Sequence, residues 1–466
     1  MIQISKNEKE KVLEAIKKGK IDAADISLPN LIDSILLAMH KKGVTQLLAQ
    51  AIPDKRADNL HIPFDILLTL GAAAKLKQKT SLTDIPYAVL DSGLLSVLGW
   101  NVSDPDRPLE QGLFSESVMR KLLLKYDAQE WIRFYNTYTQ EYVLPSLSLS
   151  PVIHILDCTK IPVNLKNKNY ENSGIVKIDG ETFRGYKLGV LRGVTDVSGV
   201  AEEICFGSIQ THDLELCRDM LINTPCFQEG DILINDRGFL SRPIVNLLKN
   251  VRKVDSYVPA RKGMAIYEDA VMIASREGKW QKHPNKKRKT QKIQLVKDLG
   301  NLWLEDGTEN RDPEGKNVPL NACVVRDEQD GEYYVFLTTD TTKTARQIIQ
   351  VYETRPEIEE DFRQMKDFWK LEDFKSTKYN YIAFHIVMTL VGYLYFQIYK
   401  NMEEGSKYIG KSLPVAAKNY RSDKPKDVII YSGQYFGIFT FLEFIQLYAG
   451  CPPEVRSLLD PILVKV

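Results

Sequence analysis

Two short apolar runs each close on an aspartate: IHILD at 153–157 and DILIND at 231–236. Runs this short, rich in isoleucine and leucine, read as strands covered on both faces rather than as helices. FRGYKLGVLRGVTD and VAEEICFGSIQ between them are strand-like segments around Ser198 and Gly199. THDLELCRDML reads as a helix, RGFLSRPIVNLLKN as a turn into another, and VDSYVPAR as a further strand. Strands interleaved with helices predict the α/β class with a largely buried sheet. Carboxylates at strand ends stand where open α/β sheets commonly form their sites. Taken singly, Asp157 and Asp236 each read as a turn former or helix cap.

A third carboxylate comes from VYETRPEIEEDFRQMK, residues 351–366. Read as one helix at about 100° per residue, Tyr352, Arg355, Glu359, Arg363 and Lys366 share an arc of about 80°. Val351, Ile358, Phe362, Met365 and Trp369 form a neighbouring apolar band. Mixed charges at such spacings often only stabilise a solvated face. Three converging carboxylates, however, cannot all stay ionised without cations nearby. Hard divalent metal with oxygen ligands, Mg²⁺ or Mn²⁺, meets that need, and a pair of ions suits phosphoryl transfer. Guanidinium, ammonium and tyrosine hydroxyl groups can hold phosphate oxygens. Pro356 removes a hydrogen bond to Tyr352, and Thr354 with Glu357 has a capping-box pattern, so the helix is expected to kink or restart there.

Asp157, the NDRGF box at 235–239 and Y352-x2-R355-x3-E359-x6-K366 together resemble DDE transposases of the IS4 family. GYKLGVL, the HD at 212–213 and FLTT at 336–339 follow the same order. The resemblance spans roughly residues 150–400. It implies an RNase H-like catalytic core with a β-rich insertion between the second aspartate and the glutamate; the spacings of 79 (236 − 157) and 123 (359 − 236) residues leave room for one. It also implies Asp157, Asp236 and Glu359 as catalytic metal ligands, and Tyr352, Arg355 and Lys366 as DNA-end contacts. Pro356 stands where relatives often carry an aromatic residue.

The expected organisation is a helical N-terminal region (1–150), a candidate for DNA-end binding; the first part of the core (151–260); a mostly β insertion (261–340); the second part of the core (341–400); and a loop-and-helix C-terminal region (401–466), a candidate for dimerisation. LFSESVMRKLLLKY is either a DNA-recognition helix or a packing helix. Arg237 and Arg363 are further candidates for DNA contact, with structural ion pairs as the alternative. Lys286, Lys287, Arg288 and Lys289 either grip a DNA backbone or form a solvated loop. In related enzymes an aromatic residue of the insertion stacks on a flipped base; Trp303 is the first choice here and Trp280 the second, against a core role for either. His212 and His385 read as structural.

Composition narrows the function classes. A net charge of +1 announces no nucleic-acid partner, so any basic surface is local. Six cysteines without a CxxC pair argue against zinc and a disulfide framework, and for a reducing compartment. The apolar run 381–399 reaches membrane length, but His385, Gln397 and several tyrosines favour a buried helix. With these bounds, what the resemblance implies is a cytoplasmic bacterial DNA transposase, a homodimer on DNA with no membrane partner. Two rivals remain open: an RNase H-fold nuclease without strand transfer, and a silent DNA-binding derivative.

Overall fold

The computed structural model describes residues 3–26, 30–56, 62–88, 100–103, 114–195, 199–302, 318–420 and 427–464. They divide into two compact units, Tyr135–Gln364 and Met1–Phe134 with Met365–Val466.

Tyr135–Gln364 is built on a ten-stranded sheet. β1 (Ile153–Val163), β2 (Gly174–Ile178), β3 (Glu181–Val194) and β4 (Gly199–Ser208) form its antiparallel part. β5 (Ile232–Asn235) and β6 (Asp255–Pro259) follow, each parallel to its predecessor in the sheet. The order β4-β3-β1-β5-β6 therefore joins an antiparallel meander to a parallel pair. Burial on both faces explains the continuous apolar runs. One face carries a core of Leu156, Leu191, Leu233, Phe239 and Ile244.

Beyond β6 the same sheet continues. β10 (Tyr333–Thr338) pairs antiparallel with β6, and β9 (Asn321–Asp327), β8 (Gln291–Val296) and β7 (Gln281–Lys282) extend it to the edge. Helix α1 (Ala265–Glu277) contributes Ile266, Tyr267, Ala270 and Ala274 to a core shared with Val324, Val335 and Leu337. The described residues of 261–340 thus form a sheet extension packed on helix α1.

Within the other unit, the expected all-helical N-terminus contains three strands, Gln3–Asn7, Ala23–Ile26 and Trp100–Ser103. They join a C-terminal hairpin, Val428–Ser432 and Tyr435–Phe439, where only loop and helix were expected. Strands of four or five residues are too short to show a period, and Gln3–Asn7 and Ala23–Ile26 have hairpin partners over 400 residues away. Val12, Ile16, Val428, Ile430 and Phe439 share one core. The long apolar run forms a helix, Tyr379–Lys400, with 94% of its most apolar window buried. A Cβ at Gly71 would lie 3.0 Å from Met388 Sδ, so glycine permits the close approach of helix Phe64–Leu76. His385 is structural: its Nδ1 accepts from Lys75 Nζ (2.9 Å), and its Nε2 donates to the Lys370 carbonyl (3.0 Å).

Sequence spacing concealed two clusters. The Cys217 sulfur touches those of Cys158 (3.5 Å) and Cys205 (3.4 Å), and all six cysteines are free. His154 on β1 is fully buried between Glu202 (2.6 Å) and Asp231 (3.2 Å). Burial pulls the imidazole pKa down, but the two carboxylates outweigh it and the net shift is upward. Burial also raises Glu202. Both groups therefore contribute stability that is complete below their ordinary values and lost as pH rises through the folded ones. His154→Asn is expected to cost about 3–5 kcal/mol at pH 6, as for a broken buried ion pair. The deficit should narrow at pH 9, measured by urea unfolding. A deficit independent of pH would mean that His154 is already neutral in the fold.

Candidate active site

Register places the two aspartates together. In the parallel pair, Leu156 of β1 lies opposite Asn235 of β5, so the next residues, Asp157 and Asp236, are neighbours. β5 ends there, and Asp236 caps the short turn Arg237–Phe239. β1 does not end: it runs on to Val163, so Asp157 sits in mid-strand rather than at the strand end expected from its sequence. Proline at position 162 and the polar residues at 157, 159 and 160 hid the continuation, which is secured by pairing with β3 from His154 to Val163.

The charged stretch 351–366 is two helices, α2 (Ala345–Tyr352) and α3 (Pro356–Trp369). Proline starts the second helix, as its missing N–H and fixed φ favour. The capping box lies at Thr344 and Gln347, not at Thr354 and Glu357. Thr354 instead donates its hydroxyl to the Val351 carbonyl. Tyr352 accordingly leaves the register of a single helix, and its ring packs 4.6 Å from that of Phe336. Burial raises its phenol pKa; Arg355 opposes the shift, and Asp236, Asp157 and Glu359 add to it.

Arg355, in the joint between the helices, gathers the carboxylates. Its Nη2 lies 2.7 Å from Asp157 Oδ2 and 3.7 Å from Asp236 Oδ2, and its Nη1 donates to Glu359 Oε1 at 2.5 Å. The remaining aspartate oxygens are committed to backbone: Asp157 Oδ1 accepts from Cys158 N (2.8 Å) and Asp236 Oδ1 from Arg237 N (2.7 Å). Exposure rises outward, from 12% at the Asp157 side chain to 39% at Asp236 and 55% at Glu359. Burial pushes the Asp157 carboxyl up to about 6, against the pull of Arg355 and the Cys158 N–H, while Asp236 and Glu359 add to the rise.

The other expected residues are less concentrated. Arg363 pairs with Glu360 on its own helix, and Lys366 with Glu372 (2.8 Å). Arg237 is exposed beside Asp236. Trp280 is half-buried against the α1 core, its ring 6.2 Å from Tyr333. Trp303 lies outside the described residues. The HD pair has a structural part: Asp213 receives the buried Lys187 of GYKLGVL (2.6 Å).

Sequence reading missed the anchor of α3. Arg192 on β3, with 6% of its side chain exposed, pairs with Asp361 (2.6 Å) and Glu357 (3.0 Å), one turn apart on either side of Glu359. A cation inside the apolar strand GYKLGVLRGV was its only sequence signal. Also missed was Glu353, which accepts from Asn285 (3.1 Å) and Arg288 (3.2 Å) and moors the basic loop at the α2–α3 joint.

Three carboxylates supply the hard oxygen donors that divalent cations take. Among the described residues, no group of three or more His, Cys, Asp or Glu side chains stands ready to hold an ion. The donor chemistry fits, with Arg355 lying among the donors.

The described residues thus form a mixed α/β sheet with acidic side chains gathered beside its parallel strands. The chain belongs to the family described as transposase DDE domain, which matches residues 152–395, more than half of the 466. Membership carries a transposase-type function with DNA as partner, in a family that generally uses divalent metal ions. No curated protein matches the chain.

Proposed function

We propose that this protein is an IS4-type transposase with a YREK signature and an RNase H-like core, cutting transposon ends and joining them to target DNA. The observation that carries the reading is the convergence of Asp157, Asp236 and Glu359 on Arg355. The strand order β4-β3-β1-β5-β6 supports the RNase H-like assignment.

Asp157, Asp236 and Glu359 would hold Mg²⁺ or Mn²⁺, as the pair of ions that suits phosphoryl transfer. Bound there, the metal would supply Lewis acidity at the attacked phosphate and ease ionisation of the attacking hydroxyl. Arg355, Tyr352 and Lys366 hold the phosphates of the cleaved strand, with Arg237 and Arg363 at the exposed rim. The first cut frees a 3′-OH, which attacks the opposite strand to close a hairpin and, after reopening, attacks target DNA. Residues 1–150 serve end binding and residues 401–466 dimerisation, so that two protomers hold two ends.

A strand-transfer assay tests the reading. Purified protein, Mg²⁺ and duplex DNA bearing the inverted repeats that flank the coding sequence should yield joined products. Cleavage without joining would make it a nuclease, and neither activity a silent binder. Trp303→Ala is expected to permit the first nick and slow hairpin closure by about 5- to 150-fold, matching a stacking contribution of about 1–3 kcal/mol. Time courses on a pre-nicked end measure this. An unchanged hairpin rate would return Trp303 to a packing role.

A further inference from the structure

Each aspartate of the site has one oxygen committed to a backbone N–H and the other turned toward Arg355. Glu359 meets the other terminal nitrogen, Nη1, of the same guanidinium. An incoming divalent ion needs the very oxygens that Arg355 now faces. The arginine is not held there by full hydrogen bonding, because its Nε is buried without an acceptor. Charge holds it: one cation is shared by three carboxylates that otherwise repel.

The joint offers a way out. Arg355 lies in the short segment between α2 and α3, outside both helices. Glu353 in that joint moors Asn285 and Arg288, and Lys286, Lys287 and Lys289 of the same loop are exposed. A DNA backbone drawn to this loop arrives where a phosphate can take the guanidinium bidentately, a stronger contact than the lysines make.

We propose that Arg355 occupies the cation position of the free protein and competes there with a divalent ion, which binds more tightly as the guanidinium moves onto a DNA phosphate. The proposal rests on Asp157, Asp236 and Glu359 being the ligand set. It makes metal loading and DNA binding mutually reinforcing, since whatever draws Arg355 away frees the ligands. The protein without DNA thereby assembles a nuclease centre less readily.

Mn²⁺ titration of the DNA-free protein, followed by the electron paramagnetic resonance of the unbound ion, tests this without reference to activity. Arg355→Gln is expected to raise Mn²⁺ affinity on the order of tenfold, within the usual range of site coupling. Arg355→Lys should also raise it, because a single ammonium keeps the charge but cannot replace two nitrogens that meet separate carboxylates. Asp157→Asn should lower it. Thermal melts confirm that each variant is folded, and the lysine variant serves if the glutamine variant is not. Wild-type affinity in both Arg355 variants, with Asp157→Asn still weakened, overturns the gating and leaves the ligand set standing. A rise for glutamine but none for lysine reduces Arg355 to plain charge repulsion and overturns occupancy. Binding unaffected by Asp157→Asn overturns the ligand set itself.

Discussion

Asp157→Asn, Asp236→Asn and Glu359→Gln are each expected to reduce end cleavage by more than about 100-fold while the protein stays folded. Loss of a residue that merely orients a metal ligand costs about 10–100-fold, so loss of a ligand should exceed that range. The amide replacements keep size and shape, and the site is open enough at Asp236 and Glu359 for water to replace lost contacts. Cleavage of inverted-repeat duplex in Mg²⁺, beside a thermal melt, measures both. A normal rate in any one variant removes that residue from the catalytic set.

Arg192→Met should have a large effect on both stability and cleavage. The guanidinium is buried against Asp361, whose side chain is 13% exposed, and replacing it breaks that buried ion pair. The expected cost is about 3–5 kcal/mol; Glu357, half exposed, adds little. Because Glu357 and Asp361 bracket Glu359, the same change should loosen the glutamate against the aspartates and slow cleavage. Arg192→Lys should recover part of both, as a single ammonium can meet one carboxylate at a time. Urea unfolding with parallel cleavage rates decides. A change within about 0.5 kcal/mol, ordinary for surface substitutions, would mean that α3 is held by its apolar face alone.

Gly199 shows how close that anchor is packed, since a Cβ there would lie 2.1 Å from the Arg192 guanidinium. Gly199→Ala is therefore expected to reproduce the Arg192→Met phenotype in weaker form, read by the same two measurements.

The α/β class followed from local information: continuous apolar runs, helix-period segments and turn residues act over a few positions, so they can be read in order along the chain. The restart of the helix at Pro356 was equally local, because proline's missing N–H acts within one turn. Asp157, Asp236 and Glu359 could be singled out because a short apolar run precedes two of them and the spacing of charges marks the third. Their meeting was not local. It depends on the pairing of Leu156 with Asn235, and on the swing of chain that brings Arg355 back to Asp157, 198 residues away. Only the tertiary structure could reveal Arg192 beneath Glu359, three thiols in contact, and His154 between two acids, since each pairs residues whose separation leaves no periodic trace. The same reason applies to the N-terminal strands, whose hydrogen bonds are completed by a hairpin at the far end of the chain. Residue chemistry was set by the sequence; which charges face one another, and therefore what Arg355 does before DNA arrives, was decided by the sheet's register and by the joint between two helices.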